Sequence, residues 1–441
     1  MVRGIRSVLV LGCSLAVVVG AVAWQGATPR DEGKSVLPVL QAPKAQWFKG
    51  NLHTHSLWSD GDDFPEMIAD WYKRHGYHFL TLSEHNVMAE GERWLGVTEK
   101  RPLPIALEKY RARFGPGWVE ERGEKGKREV RLKPFSEYRS VLEEPGRFLL
   151  IPGEEITHGY AKLPVHINAV NLRDAIKPIN GANVGETISV NHRLVAEQMK
   201  KTRQRMVAFL NHPNFGWGVT AEDMVAAPEL KFFEVFNGHP GVRNEGDGQH
   251  PSCELLWDIA LALRLGKHGL GVLRALATDD SHGYHAYGVG KVNPGRGWIM
   301  VRAPFLTPEA IVKAIEAGDY YCSSGVVLDE VKTTDDELAL TIRAEPGVLY
   351  RTEFVATLRE TPLESKPRPD KEGKPGTATR LYDGKIGQVV ASSTERSPRY
   401  KLTGKEYYVR ARVVSSRTHP NPYKKGDVEM AWTQPVVPVN R

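Results

Sequence analysis

Two imidazoles two residues apart, His53 and His55, close the run Trp47-Phe48-Lys49-Gly50-Asn51-Leu52. In an extended chain, residues two apart face the same side, so both rings can reach one ion. Alone, such a pair says little. Here Ser59-Asp60-Gly61 puts a carboxylate on a turn just beyond it, and Leu82-Ser83-Glu84-His85-Asn86 ends a second apolar run. Pro152-Gly153-Glu154-Glu155, His166, Asn211-His212-Pro213 and Asp279-Asp280-Ser281-His282 follow in order. Imidazole and carboxylate without thiolate suit zinc, manganese or iron. Divalent ions held this way could activate water for hydrolysis.

The elements that must position these groups are short β-rich runs alternating with helical stretches, which predicts parallel strands joined by crossover helices. Seven strands are expected, at 47–53, 78–83, 147–152, 165–170, 206–211, 231–236 and 272–278. Helices are expected at 66–74, 195–205 and 254–265, and Thr307-Pro308-Glu309 opens another with a capping hydroxyl, a proline and an acidic first turn. Six of the seven strands then deliver a ligand-type side chain, as in parallel barrels, which gather their chemistry at the strands' carboxyl ends. Without a cation, that many histidines and carboxylates in one partly dry bowl would cost several kcal/mol.

The stretch 86–133, long and rich in Arg, Lys, Glu and Gly, breaks the rhythm and reads as an insertion on the rim. After Ser324 the pattern becomes alternating, as in Leu338-Ala339-Leu340-Thr341-Ile342-Arg343, which predicts antiparallel strands with one solvated face. A small all-β, sandwich-like domain over 325–441 is the expectation, after a catalytic unit over 47–324. Glu234-Val235-Phe236-Asn237-Gly238-His239 ends the sixth strand without an expected metal ligand, leaving Asn237 and His239 as candidates for substrate contact. The remaining histidines, His192 and His250 among them, are expected on the surface or in packing, and Trp217, Trp257, Trp298 and Trp432 in packing.

His53-x-His55, Ser59-Asp60-Gly61, Glu84-His85-Asn86, Pro152-Gly153-Glu154-Glu155, Asn211-His212-Pro213 and Asp280-Ser281-His282, in this order, resemble the PHP (polymerase and histidinol phosphatase) family. The resemblance implies a distorted seven-stranded (β/α) barrel and hydrolysis of phosphate esters. It also implies that His53, His55, Glu155 and Asp280 hold a first ion. Glu155 would bridge to a second with His166 and His212, while Asp60, His85 and His282 would hold a third. The register of the motif selects Glu155 over Glu154. Two positions depart from the family pattern: Asp60 stands where several members have histidine, and Glu84 where an aspartate commonly precedes the second-strand histidine. Asp280 and His282 are the candidates for passing a proton to the leaving group.

Arg3 and Arg6 precede an apolar run over 7–24 that contains Ala21-Val22-Ala23, the pattern of a secretory signal. Cleaved after residue 23, it leaves a linker over 24–46 and an extracytoplasmic protein; uncleaved, it would tether the chain to a membrane. Cys253 and Cys322 then remain, enough for one disulfide and too few for a thiolate metal site. A net charge of +6 over 441 residues suits an anionic substrate or a negatively charged envelope surface and gives no sign of specific nucleic-acid binding, and the resemblance implies that the substrate is small and phosphorylated. Two alternatives stay open. The same metals could cleave an amide or ester, or the barrel could be a non-catalytic, metal-stabilised scaffold whose C-terminal domain contacts envelope glycan or protein.

Overall fold

The computed structural model describes residues 43–98, 103–124, 127–369 and 378–438. The expected signal and most of the linker lie outside them. Among the described residues no helix is long and apolar enough to cross a membrane.

The chain folds as mixed α/β. A six-stranded sheet runs in the order Arg274–Thr278, Phe232–Asn237, Val207–Leu210, Leu163–Val170, Gly153–Tyr160, Ser83–His85. A nine-stranded sheet carries Leu149–Leu150, Phe79–Leu80, Gln46–Asn51, Trp298–Ala303 and Tyr320–Ser323, then continues through Val428–Thr433, Glu406–Thr418 and Tyr350–Leu358 to Gln388–Ser393. All seven expected strand regions are extended, but as ladders they belong to two open sheets rather than one closed barrel. The second and third strands each break in the middle. Pro152, which has no N–H to give a ladder, separates Leu149–Leu150 from Gly153–Tyr160. The outer parts of these strands pair in the large sheet and the inner parts, Ser83–His85 with Gly153–Tyr160, in the smaller one.

The expectation of a wholly parallel set fails at the fourth strand. Leu163–Val170 returns antiparallel to Gly153–Tyr160 through a two-residue turn at Ala161 and Lys162, both left-handed at φ 48° and 71°. Such a turn matches strand twist but usually recruits Asn or Gly, so Ala-Lys gives no turn signal. Val207–Leu210 then pairs antiparallel with the returning strand, and parallel pairing resumes between Val207–Leu210, Phe232–Asn237 and Arg274–Thr278.

Local chemistry explains the helices. Pro65–Arg74 starts on proline, carries Glu66 in its first turn and Lys73 and Arg74 in its last, and buries Ile68, Ala69 and Tyr72. Cys253–Gly266 is capped by Ser252, which accepts from Leu255 N, and buries Trp257 completely. Thr307 caps Pro308–Ala317, which stops at left-handed Gly318. The helix expected at 195–205 is longer: Val184–Thr202 begins where the Asn183 side chain accepts from Glu186 N, and it buries Val184, Ile188, Asn191 and His192. The polar residues on its inner face hide the early turns from hydrophobic periodicity.

The insertion has structure of its own, the helix Leu103–Phe114 and the antiparallel strands Arg93–Gly96, Glu129–Leu132 and Glu121–Arg122. Tyr110 of that helix stacks on Phe64 at 4.1 Å. After Ser324, Leu328–Thr333, Glu337–Ile342 and Arg399–Lys401 form a three-stranded antiparallel sheet. Leu338, Leu340 and Ile342 pack with Phe354, Val409, Val413 and Ala431 of the large sheet in one core. Cys253 and Cys322 are buried free thiols.

Candidate metal centre

The nine side chains singled out from the sequence come together where the two sheets meet. At the centre, Nε2 of His53 lies 3.2 Å from Asp280 Oδ1 and 3.5 Å from Glu155 Oε2. Nε2 of His55 is 3.3 Å from each of the same two oxygens. All four residues are buried; His53 Nε2 and His55 Nε2 have no hydrogen-bond partner, and Glu155 Oε2 has His85 Nδ1 at 2.9 Å, without hydrogen-bond geometry. Four ligand-type atoms thus point at one another, the arrangement a cation would satisfy.

Glu155 extends the cluster on its other oxygen. Oε1 lies 2.9 Å from His166 Nδ1 and 3.4 Å from His212 Nε2, and accepts from Asn211 Nδ2 at 2.8 Å. A more open group surrounds Asp60, whose oxygens lie 3.3 Å from His282 Nε2, 3.5 Å from His85 Nε2 and 3.7 Å from His55 Nδ1. A neutral imidazole has one lone pair, so His55 serves the central group or this one, not both. The Asp60 side chain is 50% exposed, so this outer group is the wettest of the three.

Charge balance makes the same point. Burial would push the carboxyls of Glu155 and Asp280 towards the neutral form, yet the surrounding histidines, His53 foremost, hold both well below the usual range. Burial likewise disfavours a charged His53, but Asp280, Glu234 and Glu155 raise it well above its ordinary value. Protons on histidine thus balance carboxylates that a divalent cation could balance instead.

Local structure aims each group. Asp280 and His212 sit at φ 49° and 20°, and Asn86, beside His85, at φ 53°, so left-handed turns end three of the strand regions at the cluster. Glu154 faces away from the cluster and accepts from Ile176 N at 2.5 Å, as alternation along a strand requires once Glu155 faces in. Asn237 donates to Glu234 Oε2 at 2.9 Å and Asp280 Oδ2 at 3.1 Å, and its Oδ1 accepts from His239 N. Its amide is therefore committed to the protein. The His239 ring stands edge-on to His282, with centroids 5.6 Å apart.

Glu234 and Asp279, given no role from the sequence, and Glu84, met there only as a departure from the family pattern, also organise the cluster. Fully buried Glu234 contacts His53 Nδ1 at 2.6 Å and accepts from Thr278 Oγ1 at 2.6 Å and His212 N at 2.8 Å. The signal was there: one carboxylate inside Phe232-Phe233-Glu234-Val235-Phe236. Asp279 accepts from Asn51, Tyr72 and the backbone of Gly295, Arg296 and Gly297, pinning the base of the cluster. Glu84 accepts from both the N–H and hydroxyl of Ser56 and from Ser59 Oγ, which fixes the turn bearing Asp60.

Compared with known proteins, the chain matches no family model and no curated sequence. Several solved structures are similar to it, two of them as follows. One is a two-domain protein from Bacteroides vulgatus containing a predicted PHP-like metal-dependent phosphoesterase, at 17% identity and TM-score 0.37, covering 93% of this chain and 100% of that one. The other is a proposed metal-dependent phosphoesterase from Bifidobacterium adolescentis, at 13% identity and TM-score 0.29, covering 53% of this chain and 87% of that one.

Proposed function

We propose that the chain is an exported metal-dependent phosphoesterase of the PHP type. The observation that carries this function is the meeting of His53 Nε2, His55 Nε2, Glu155 Oε2 and Asp280 Oδ1, the two nitrogens buried without a hydrogen-bond partner. Leaving such groups unpaired costs about 1–3 kcal/mol each, more for a charge, which a bound cation offsets. His53, His55, Glu155 and Asp280 would hold one ion, Glu155, His166 and His212 a second, and Asp60, His85 and His282 a third. Zinc, manganese and iron are the metals this donor set favours.

Such ions, when bound, activate water and stabilise charge on phosphoryl oxygens. The chain supplies the rest. Glu234 holds His53 by Nδ1, leaving Nε2 for the cluster, and Asn211 and Asn237 fix the second oxygens of Glu155 and Asp280. His282 Nδ1 pairs with the carbonyl of Asp280 at 2.9 Å, so its Nε2 faces the cluster. His282 Nε2, where no third ion is held, would pass the proton to the leaving oxygen, and Asp280, held as a carboxylate, could do so only after taking a proton from the attacking water.

The barrel and export complete the proposal. The ends of the two sheets approach at the site, where Thr54 bridges Ser281 in parallel and Asp280 N donates to the His53 carbonyl at 3.0 Å. We take the sheets together as a distorted (β/α) barrel over 47–324, with 325–441 as an appended β-rich domain. The charged and apolar leader favours export of the mature chain to the periplasm or beyond. Metal-loaded protein should hydrolyse at least one member of a panel of phosphomonoesters and phosphodiesters. Asp280→Asn should lower that turnover by more than about a hundredfold. Failure on the whole panel, or unchanged turnover in the variant, would contradict the proposal.

A further inference from the structure

Beside the cluster stands an apolar ring that the metal chemistry does not use. Phe215 is 36% exposed, yet its ring centroid lies 5.1 Å from that of His212 and 5.9 Å from that of His166. Its backbone holds it there. Gly216 and Trp217 both adopt left-handed conformations, at φ 57° and 54°, the second unusual for a bulky residue. Gly216 and Gly218 press against Pro164 so closely that a Cβ on either would collide with it. Trp217, in turn, is held by stacking on His250 at 3.8 Å and by the Arg243 guanidinium 4.8 Å from its ring. The segment spends backbone strain to keep a phenyl ring on the rim rather than in the core.

His239 occupies the neighbouring position with a defined proton. Gly241 N donates to His239 Nδ1 at 3.0 Å, so Nδ1 is an acceptor and the ring proton sits on Nε2. Nε2 has no partner among the described residues and is left as a free donor. Gly241 leaves room for the His239 ring and borders Phe215 as well. A Cβ there would crowd the His239 ring, 3.0 Å from Cε1, while Phe215 Cε2 at 3.9 Å would stay in ordinary contact, and the backbone conformation itself does not demand glycine.

We propose that Phe215 and His239 form the subsite for the organic part of the substrate, an ester whose phosphate is attached to a planar, apolar group. That group lies against Phe215, and a phosphate oxygen accepts from His239 Nε2–H. The inference rests on the phosphoesterase function above and adds to it the class of substrate, an aryl-like rather than a small aliphatic ester.

Binding tests it without turnover. Manganese-loaded protein is titrated calorimetrically with phenylphosphonate and with methylphosphonate. Wild type should bind the phenyl compound about tenfold more tightly, and Phe215→Ala should remove most of that preference with metal content unchanged. His239→Ala should weaken both ligands by about fivefold, and His239→Gln, which keeps an N–H donor, should recover part of the loss. Binding of both ligands with no phenyl preference, or a preference that survives in Phe215→Ala, would overturn the subsite while leaving the phosphoesterase function standing. Binding of neither ligand would overturn both.

Discussion

Glu234 shows how much of the site's order comes from residues that would touch no ion. Its two oxygens tie His53, the backbone of His212, Thr278 and Asn237 into one unit at the back of the cluster. Glu234→Gln keeps the volume but can no longer serve as a charged acceptor for His53 Nδ1. Metal affinity, measured by competition with a chelator, should fall by about ten- to a hundredfold while the unfolding midpoint of the metal-free protein moves little. Equal affinities would reduce Glu234 to a packing residue. The candidate ligands themselves were legible in the sequence because few residue types can hold a metal and they recur at strand ends. The groups that aim them were harder to find. Asn211, Asn237 and Thr157 are types that cap turns everywhere, and only the folded distances distinguish those that fix Glu155, Asp280 and His85.

Helices were readable where caps and periodicity agreed, as at Thr307-Pro308-Glu309, and misjudged where a buried face is polar. Val184–Thr202 buries Asn191 and His192 on the face that an amphipathic pattern would fill with aliphatics. His192 pairs its Nδ1 with the Ile188 carbonyl, and burial lowers its pKa to about 4. The unfolded chain takes up this proton near pH 6.5 and the folded chain only near 4, so the neutral ring's contribution is complete above 6.5 and is lost as pH falls through that window. His192→Leu should remove this component. Between pH 7 and 4.5 the wild type should lose up to about 3 kcal/mol more stability than the variant in chemical denaturation. Parallel losses in the two proteins would contradict the assignment. Strand direction was the least legible property. Alternation and β-branched content locate Leu163–Val170, but its reversal depends on the left-handed pair Ala161 and Lys162, whose residue types carry no such preference.

Over the whole molecule, the alternating pattern after Ser324 announced antiparallel strands but not their partners, because register and neighbour are set by tertiary packing. Val428–Thr433 pairs with Tyr320–Ser323, so the ladder runs unbroken from the C-terminal strands to the one preceding His53. Arg410, 1% exposed, fastens this region to the helix Cys253–Gly266 through two hydrogen bonds to Asp258 and one to Glu254. Arg410→Ala strands the buried Asp258 carboxylate and should cost about 3–5 kcal/mol. Unfolding should remain a single transition at a lower midpoint, whereas a separate early transition confined to the residues after 324 would show that the two regions are uncoupled. The nine converging side chains are proposed to hold catalytic cations. Elemental analysis of the protein as purified, paired with phosphoesterase activity before chelation, after it and after metal add-back, tests this most directly. Two or three equivalents of zinc, manganese or iron are expected, with activity lost on removal of the metal and restored by its return; a metal-free protein whose activity neither chelation nor add-back changes would rule out catalytic cations at this site.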